Sequence, residues 1–157
     1  MVESGDTMLM GEYHHNIDEK ARIIIPSKFR DDLGDKVVVT RGLENCLFVY
    51  SLKEWQSIVE KLKTLPFTKK DARSFTRIFL SGATVCEFDK QGRIKLTMPL
   101  VGYANLQKEC VVIGVSDRLE IWGLDSWNKF FNDNREDLSD LADHLFESNF
   151  TEWIHHT

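Results

Sequence analysis

The chain has 157 residues, 42% of them hydrophobic and 29% charged, with four tryptophans and a formal net charge of −5. That composition describes a folded globular protein and excludes disordered and fibrous classes. No apolar run approaches the ~18 residues that cross a bilayer, and Met1–Met8 lacks the basic-then-apolar order of a secretory leader, so a cytoplasmic protein without membrane attachment is expected.

Residues 8–17 alternate like a strand, Leu9, Gly11, Tyr13 and His15 against Met10, Glu12, His14 and Asn16, with mixed residues on both faces. Asp18–Ala21 is short and polar and Arg22–Ile25 resumes a β-branched run, which together predict a hairpin. Pro26 opens a short helix over Ser27–Leu33, and Gly34 is placed to end it. Strands over Lys36–Thr40 and Cys46–Tyr50 flank a turn at Arg41–Asn45. Ser51 is positioned to cap a helix through Lys63, whose apolar face is Trp55, Ile58, Val59 and Leu62.

Beyond Pro66, Thr68 and Asp71 imitate a capping box and predict a helix to about Ser81. On it Phe75, Ile78 and Phe79 are expected toward the core, and Lys69, Arg73 and Arg77 along another face. Strands follow over Ala83–Phe88 and Arg93–Thr97, then a short helical stretch at Pro99. Strands over Glu109–Gly114 and Leu119–Trp122 come next, then a helix opened by Asp125 or Ser126. An acidic helix over Glu136–Phe150, with Leu138, Leu141, Leu145 and Phe146 at helical spacing, completes the order. No Gly/Ser linker separates the halves, which predicts two repeats packed as one body.

The order is duplicated. Asp18-Glu-Lys-Ala-Arg22 returns 71 residues later as Asp89-Lys-Gln-Gly-Arg93. Leu47-Phe-Val-Tyr50 answers Leu119-Glu-Ile-Trp122, and Trp55 answers Trp127, both 72 residues apart. One structural unit therefore occurs twice. Each Asp-x-x-x-Arg brackets a tight connection, where the carboxylate can accept from turn amides or fix the guanidinium. Two readings follow. The pair is either a salt bridge that pins the turn, or a device that presents the arginine to an anionic or planar ligand. Lys20 and Lys90 in the same loops favour the second, with lysine on phosphate and arginine on base edges.

The net charge does not oppose such a ligand. From Asn132 onward seven acidic residues face a single basic one, Arg135, which leaves the rest of the chain at +1. The body is near neutral with basic clusters, and the acidity belongs to the C-terminal segment.

Met10-Gly-Glu-Tyr13, the two loops, Thr40-Arg-Gly-Leu43, Phe67-Thr-Lys-Lys-Asp-Ala-Arg73 and Ser81-Gly-Ala83 together resemble the bacterial MraZ family, from about Met8 to Phe146. The resemblance implies an α+β fold of two tandem AbrB-like swapped-hairpin repeats forming a double-split β-barrel with flanking helices. On this chain the repeats are expected over 8–63 and 83–132, with a connecting helix over 64–82 and an acidic helix or tail over 133–157. It also implies a ring-like homo-oligomer that binds double-stranded DNA sequence-specifically in the nucleoid. There it would regulate, and most simply repress, the cell division and cell wall gene cluster through tandem repeats upstream of its own gene.

Carried over by position, the motif arginines fall on Arg22 and Arg93 and the motif aspartates on Asp18 and Asp89. Arg22, Arg93, Lys20 and Lys90 are thus the expected DNA contacts, and Asp18 and Asp89 the loop supports. Two departures suggest unequal loops. Ala21 stands where the family often has glycine, as the second loop has at Gly92, and a positive φ there would cost about 1 kcal/mol unless the loop takes another geometry. Pro99 also lies two residues later than the counterpart of Pro26.

Other candidates are weaker. Lys61, Lys63, Lys69, Lys70, Arg73 and Arg77 form the densest basic stretch, read first as a solvated helix face and second as a contact to DNA backbone or a ring neighbour. His14 and His15 point to opposite faces of a strand and cannot chelate one metal together, and His155-His156 sits at the terminus. Cys46, Cys86 and Cys110, odd in number and set in apolar contexts, read as reduced core thiols. No metal, cofactor or small-molecule substrate is expected, and no nucleophile–base set suggests an enzyme. The rival reading is an antitoxin-like oligomeric module that masks a partner protein through its acidic tail; fold does not separate the two.

Overall fold

The computed structural model describes residues 8–146. Met1–Thr7, the predicted helix beyond Phe146 and the His155-His156 pair lie outside the described residues. The chain runs β1 (Leu9–Asn16), β2 (Arg22–Ile24), α1 (Ser27–Leu33), β3 (Lys36–Arg41), β4 (Leu47–Ser51) and α2 (Leu52–Lys63). After α3 (Lys70–Ser81) the same order returns as β5 (Thr84–Glu87), β6 (Arg93–Lys95), α4 (Met98–Tyr103), β7 (Glu109–Ser116), β8 (Leu119–Gly123) and α5 (Leu124–Asn134). A 3-10 turn at Arg135–Asp137 and α6 (Leu138–Leu145) follow. The chain through Leu124 forms one compact unit and the chain from Asp125 a second.

The fold is mixed α+β. Six antiparallel strands form a sheet in the order β1-β7-β8-β4-β3-β5, and β2 and β6 form a separate two-stranded ribbon. The order reads alike from both edges once the two halves are superposed. The first strand of each half pairs with the third strand of the other, Tyr13 opposite Val112 and Cys86 opposite Val37. The fourth strands meet at the centre, Val49 opposite Leu119.

This exchange corrects the predicted hairpin between residues 8–17 and 22–25, because β1 pairs with β7 and β2 with β6. Ile23 and Ile94 face each other in the ribbon and are both fully buried. An isoleucine on a three-residue strand needs an apolar partner, and its own repeat supplies one where the mostly polar, exposed β1 does not. A single core results. Ile25, Phe29, Val39 and Val49 from the first half join Leu96, Leu100, Val112 and Ile121 from the second. Each fully buried side chain contributes roughly 1.5–3 kcal/mol, and several of these are buried against the other half.

The helices follow local chemistry, with three corrections. As predicted, Gly34 ends α1 at φ 86°, and Ser51 caps α2, its Oγ accepting from the Glu54 amide at 3.2 Å. The capping box expected of Thr68 and Asp71 does not form; Lys69 is the N-cap and makes no side-chain cap bond. The Lys69 amide already donates to Pro66 O at 3.0 Å, which places Thr68 inside a turn. Of the three residues expected to face the core from α3, only Phe79 is buried, while Phe75 and Ile78 are exposed.

Anchoring explains that difference, since α3 is held through its last turns. The Thr40 hydroxyl donates to Phe79 O at 2.5 Å, and Arg41 Nη1 donates to Ile78 O and Ser81 Oγ, both at 2.9 Å. Trp55 of α2 stacks on Phe79 with ring centres 5.5 Å apart. The third correction is the acidic helix expected from Glu136, which is divided into a 3-10 turn and α6.

All three cysteines are free and buried. Burial pushes the Cys86 and Cys110 thiols up to about 11 and Cys46 higher still. Among the described residues, no helix is long and apolar enough to cross a membrane.

Candidate functional site

The two Asp-x-x-x-Arg loops are built to one plan. In the first, the Asp18 amide donates to Arg22 O and the Ala21 amide to Asp18 O, both at 3.0 Å, which closes the turn. Asp18 Oδ1 accepts from the Lys20 and Arg22 amides at 2.9 Å, and Oδ2 accepts from Arg22 Nε at 2.7 Å. In the second, Asp89 Oδ1 accepts from the Gln91 and Arg93 amides at 2.9 Å and Oδ2 from Arg93 Nε at 2.7 Å. Each aspartate is an Asx-type turn former whose second oxygen orients the arginine.

The same bonds set the electrostatics. The Arg22 main-chain amide, first among several donors, holds the Asp18 carboxyl below its ordinary pKa, and the Arg93 amide does so for Asp89. Each carboxylate accepts three hydrogen bonds from its own loop, which favours its ionised form. Each guanidinium is tied at Nε, and its terminal nitrogens keep donor capacity beyond that bond.

The ribbon brings the loops together. β2 and β6 begin at Arg22 and Arg93, which pair with Lys95 and Ile24. Main-chain bonds lock the crossing, Ile25 N to Gly92 O at 3.0 Å and Leu96 N to Ala21 O at 2.8 Å. Arg93 Nη1 also lies 3.7 Å from Asp18 Oδ2, so it touches the carboxylates of both loops. Lys20 and Lys90 are exposed at the loop tips. All six predicted site residues therefore sit on the two turns that flank one ribbon.

The loops are not identical. Ala21 takes the left-handed conformation at φ 61° and Gly92 at φ 77°, so the first loop keeps the turn geometry despite its side chain. The helix starts differ as well. Thr97 stands at the N-cap of α4 where Pro26 stands for α1, and its hydroxyl accepts from the Leu100 amide at 3.4 Å.

Sequence reasoning missed three cations. Arg30 of α1 donates from Nε to Ile25 O at 3.0 Å, and a Cβ on Gly92 would lie 2.6 Å from its guanidinium carbon. Its counterpart by repeat register is the apolar Val101, so only the second loop has this arginine beside it. Lys95 is brought opposite Arg22 by the ribbon, and Lys108 lines an open groove of about 680 Å³ at the first loop with Lys20, Arg22, Asp18 and Glu19. Another open groove of about 680 Å³, between the end of α1 and the end of β5, is lined by Arg30 and Lys36 against Asp31, Asp35 and Glu87 and by no residue of the second loop. Lys36 is further engaged by Glu87 at 3.3 Å. The first groove thus carries three cations against two carboxylates, and the other two cations against three carboxylates. The repeat offset was the available signal for Lys36 and Lys108; nothing in the sequence marks Arg30.

Among the described residues, no group of three or more His, Cys, Asp or Glu side chains is placed to hold a metal ion. His14 and Glu12 lie on one strand face as a 2.8 Å pair.

The duplication seen in residues, strands and loops is matched in comparison with known families. The family model described as "MraZ protein, putative antitoxin-like" matches residues 8–78 and again residues 79–149. Two consecutive matches over nearly the whole chain place it in the MraZ family, as a protein that carries the family's unit twice.

Proposed function

We propose that this protein is a sequence-specific DNA-binding regulator of transcription, acting as a repressor on tandem repeats upstream of its own gene. Its targets are the genes of the division and cell wall cluster, and it works as a ring of identical subunits in the cytoplasm, at the nucleoid. The observation that carries this reading is the pair of matched loops on one ribbon. Arg22 and Arg93 are pre-oriented by Asp18 and Asp89 through 2.7 Å bonds, and Lys20 and Lys90 are exposed at the tips. Fixed guanidinium groups suit base edges, and mobile lysines suit phosphates. Membership of the MraZ family supports the same reading and favours a swapped-hairpin, double-split barrel description of the fold.

One chain contributes few cations, so affinity is expected to come from several subunits on several repeats. Linked sites gain about 10²–10⁴ in avidity when geometry lets them bind together. Footprinting on DNA upstream of the gene should protect evenly spaced short repeats. Binding should weaken with a slope of about −0.9Z in log K against log salt for Z phosphates neutralised. Protection of a single isolated site, or a flat salt response, would argue against this reading.

A second reading draws on the antitoxin-like part of the family description: an interaction module that masks a partner protein through its acidic C-terminal segment. Deleting residues 132–157 separates the two. The DNA reader keeps or gains DNA affinity, whereas the masking module loses its partner.

A further inference from the structure

The β2–β6 ribbon has two unlike faces. Ile23 and Ile94 are fully buried on one, and strand alternation turns Arg22, Ile24, Arg93 and Lys95 to the other. Across that outer face Arg22 stands beside Lys95 and Ile24 beside Arg93. Neighbours across strands lie about 5 Å apart and alternate residues along a strand about 7 Å apart, so the four side chains span about two base-pair steps. The crossing holds them in register, since Ile25 N donates to Gly92 O at 3.0 Å and Leu96 N to Ala21 O at 2.8 Å.

Ile24 is the one apolar member of this array, 38% exposed among three cations. Its counterpart by the 71-residue offset is Lys95, which is also exposed. A single exposed isoleucine is ordinary on a protein surface. This one is set apart by its place directly across from Arg93, whose Nε is fixed on Asp89 at 2.7 Å. A two-stranded ribbon fits the major groove of B-form DNA, and the methyl group that the bases display there belongs to thymine. An aliphatic side chain beside a fixed arginine can meet that methyl while the guanidinium takes the hydrogen-bonding edge of a neighbouring base.

We propose that Ile24 is a specificity-determining residue that packs on the methyl group of one thymine in the major groove. Lys95 places a point charge at the matching position, so the other half of the ribbon makes no such contact and the site read by one ribbon is not a palindrome. The inference rests on the DNA reading proposed above and deepens it: each bound repeat contains one thymine recognised by its methyl, not two.

Thymine-to-uracil scanning tests it, because uracil pairs as thymine does and lacks only the methyl. The duplex that the wild type protects upstream of its gene is prepared with each thymine of one repeat replaced singly by uracil, and Kd is measured by fluorescence anisotropy. The wild type is expected to lose about 4-fold in affinity at one thymine, the effect of withdrawing one buried methyl. Ile24→Ala, melting as wild type does, should bind the thymine and uracil duplexes alike, and Lys95→Ile should gain a second sensitive thymine. A wild type indifferent to every uracil would overturn the inference and leave the DNA reading standing, with no variant needed. A uracil penalty that persists in Ile24→Ala would assign the methyl contact to another residue and overturn it as well. Absence of a second sensitive position in Lys95→Ile would overturn the asymmetry between the halves. A wild type that protects no duplex would overturn the DNA reading and this inference together.

Discussion

Ala21 and Gly92 occupy one place in two loops, and their neighbours explain why the residues differ. Both have positive φ, which costs an alanine about 1–2 kcal/mol. Ala21 is nevertheless buried in the shared core, so its methyl recovers part of that cost. Gly92 has no such freedom, because the Arg30 guanidinium lies where a Cβ would go. Gly92→Ala is therefore expected to destabilise by about 1–3 kcal/mol and to pull Arg30 from Ile25 O, lowering Tm by roughly 2–12 °C. Ala21→Gly, which relieves φ but removes a buried methyl, should change stability by less than about 1 kcal/mol. Thermal melts of the two variants check both statements.

The aspartates add a pH dependence of known sign. Their folded pKa values lie below the ordinary carboxylate range. Their contribution is thus fully present above the unfolded pKa of about 4 and is lost as pH falls through the folded values. The Tm difference between wild type and Asp18→Asn/Asp89→Asn should be constant from pH 7 to 5 and shrink below about pH 4. A difference that instead disappears between pH 7 and 5 would assign the effect to another group.

Among the elements, β8 carries the one buried charge cluster of the sheet among the described residues. Glu120 is buried and accepts from Arg118 Nη2 at 2.8 Å and from Trp122 Nε1 at 3.0 Å. Arg118 also lies over the Phe48 ring at 4.4 Å. Phe48 is both the strand partner of Glu120 and its counterpart in the repeat, so one copy has an aromatic where the other has an ion pair. Removing the arginine leaves a carboxylate in an apolar site. Arg118→Ala should cost about 2–4 kcal/mol, below a fully enclosed pair because Arg118 is partly exposed, as measured by denaturant unfolding.

Element positions are largely legible in the sequence because their signals are local. Ser51 before an amphipathic run marks the start of α2, and β-branched runs mark β3 and β7. The failures come where tertiary contacts override local signals. Thr68 and Asp71 have cap spacing, yet the turn closed at Pro66 moves the cap to Lys69. Phe75 and Ile78 have core periodicity, yet only the last turns of α3 are tied to β3 and its flank.

For the whole molecule, duplication is legible and exchange is not. The 71-residue offset announces two units, but no local feature says that β1 belongs beside β7 or β2 beside β6. Pairing depends on which face of the other half is apolar. The site follows the same rule. Asp18, Arg22, Asp89 and Arg93 can be found from spacing, whereas Arg30 and Lys95 reach the loops only through exchange. The exchange also gives the loops a common base, so the proposed DNA contacts move as one body.

Titration of DNA carrying several repeats by Arg22→Ala, Arg93→Ala and the double variant tests the role of the loops most directly. Each single change is expected to weaken binding by about 1–3 kcal/mol, with the double variant near non-specific affinity and all three proteins melting as cooperatively as wild type. Unchanged affinity in the folded double variant would contradict a DNA-binding role for the paired loops.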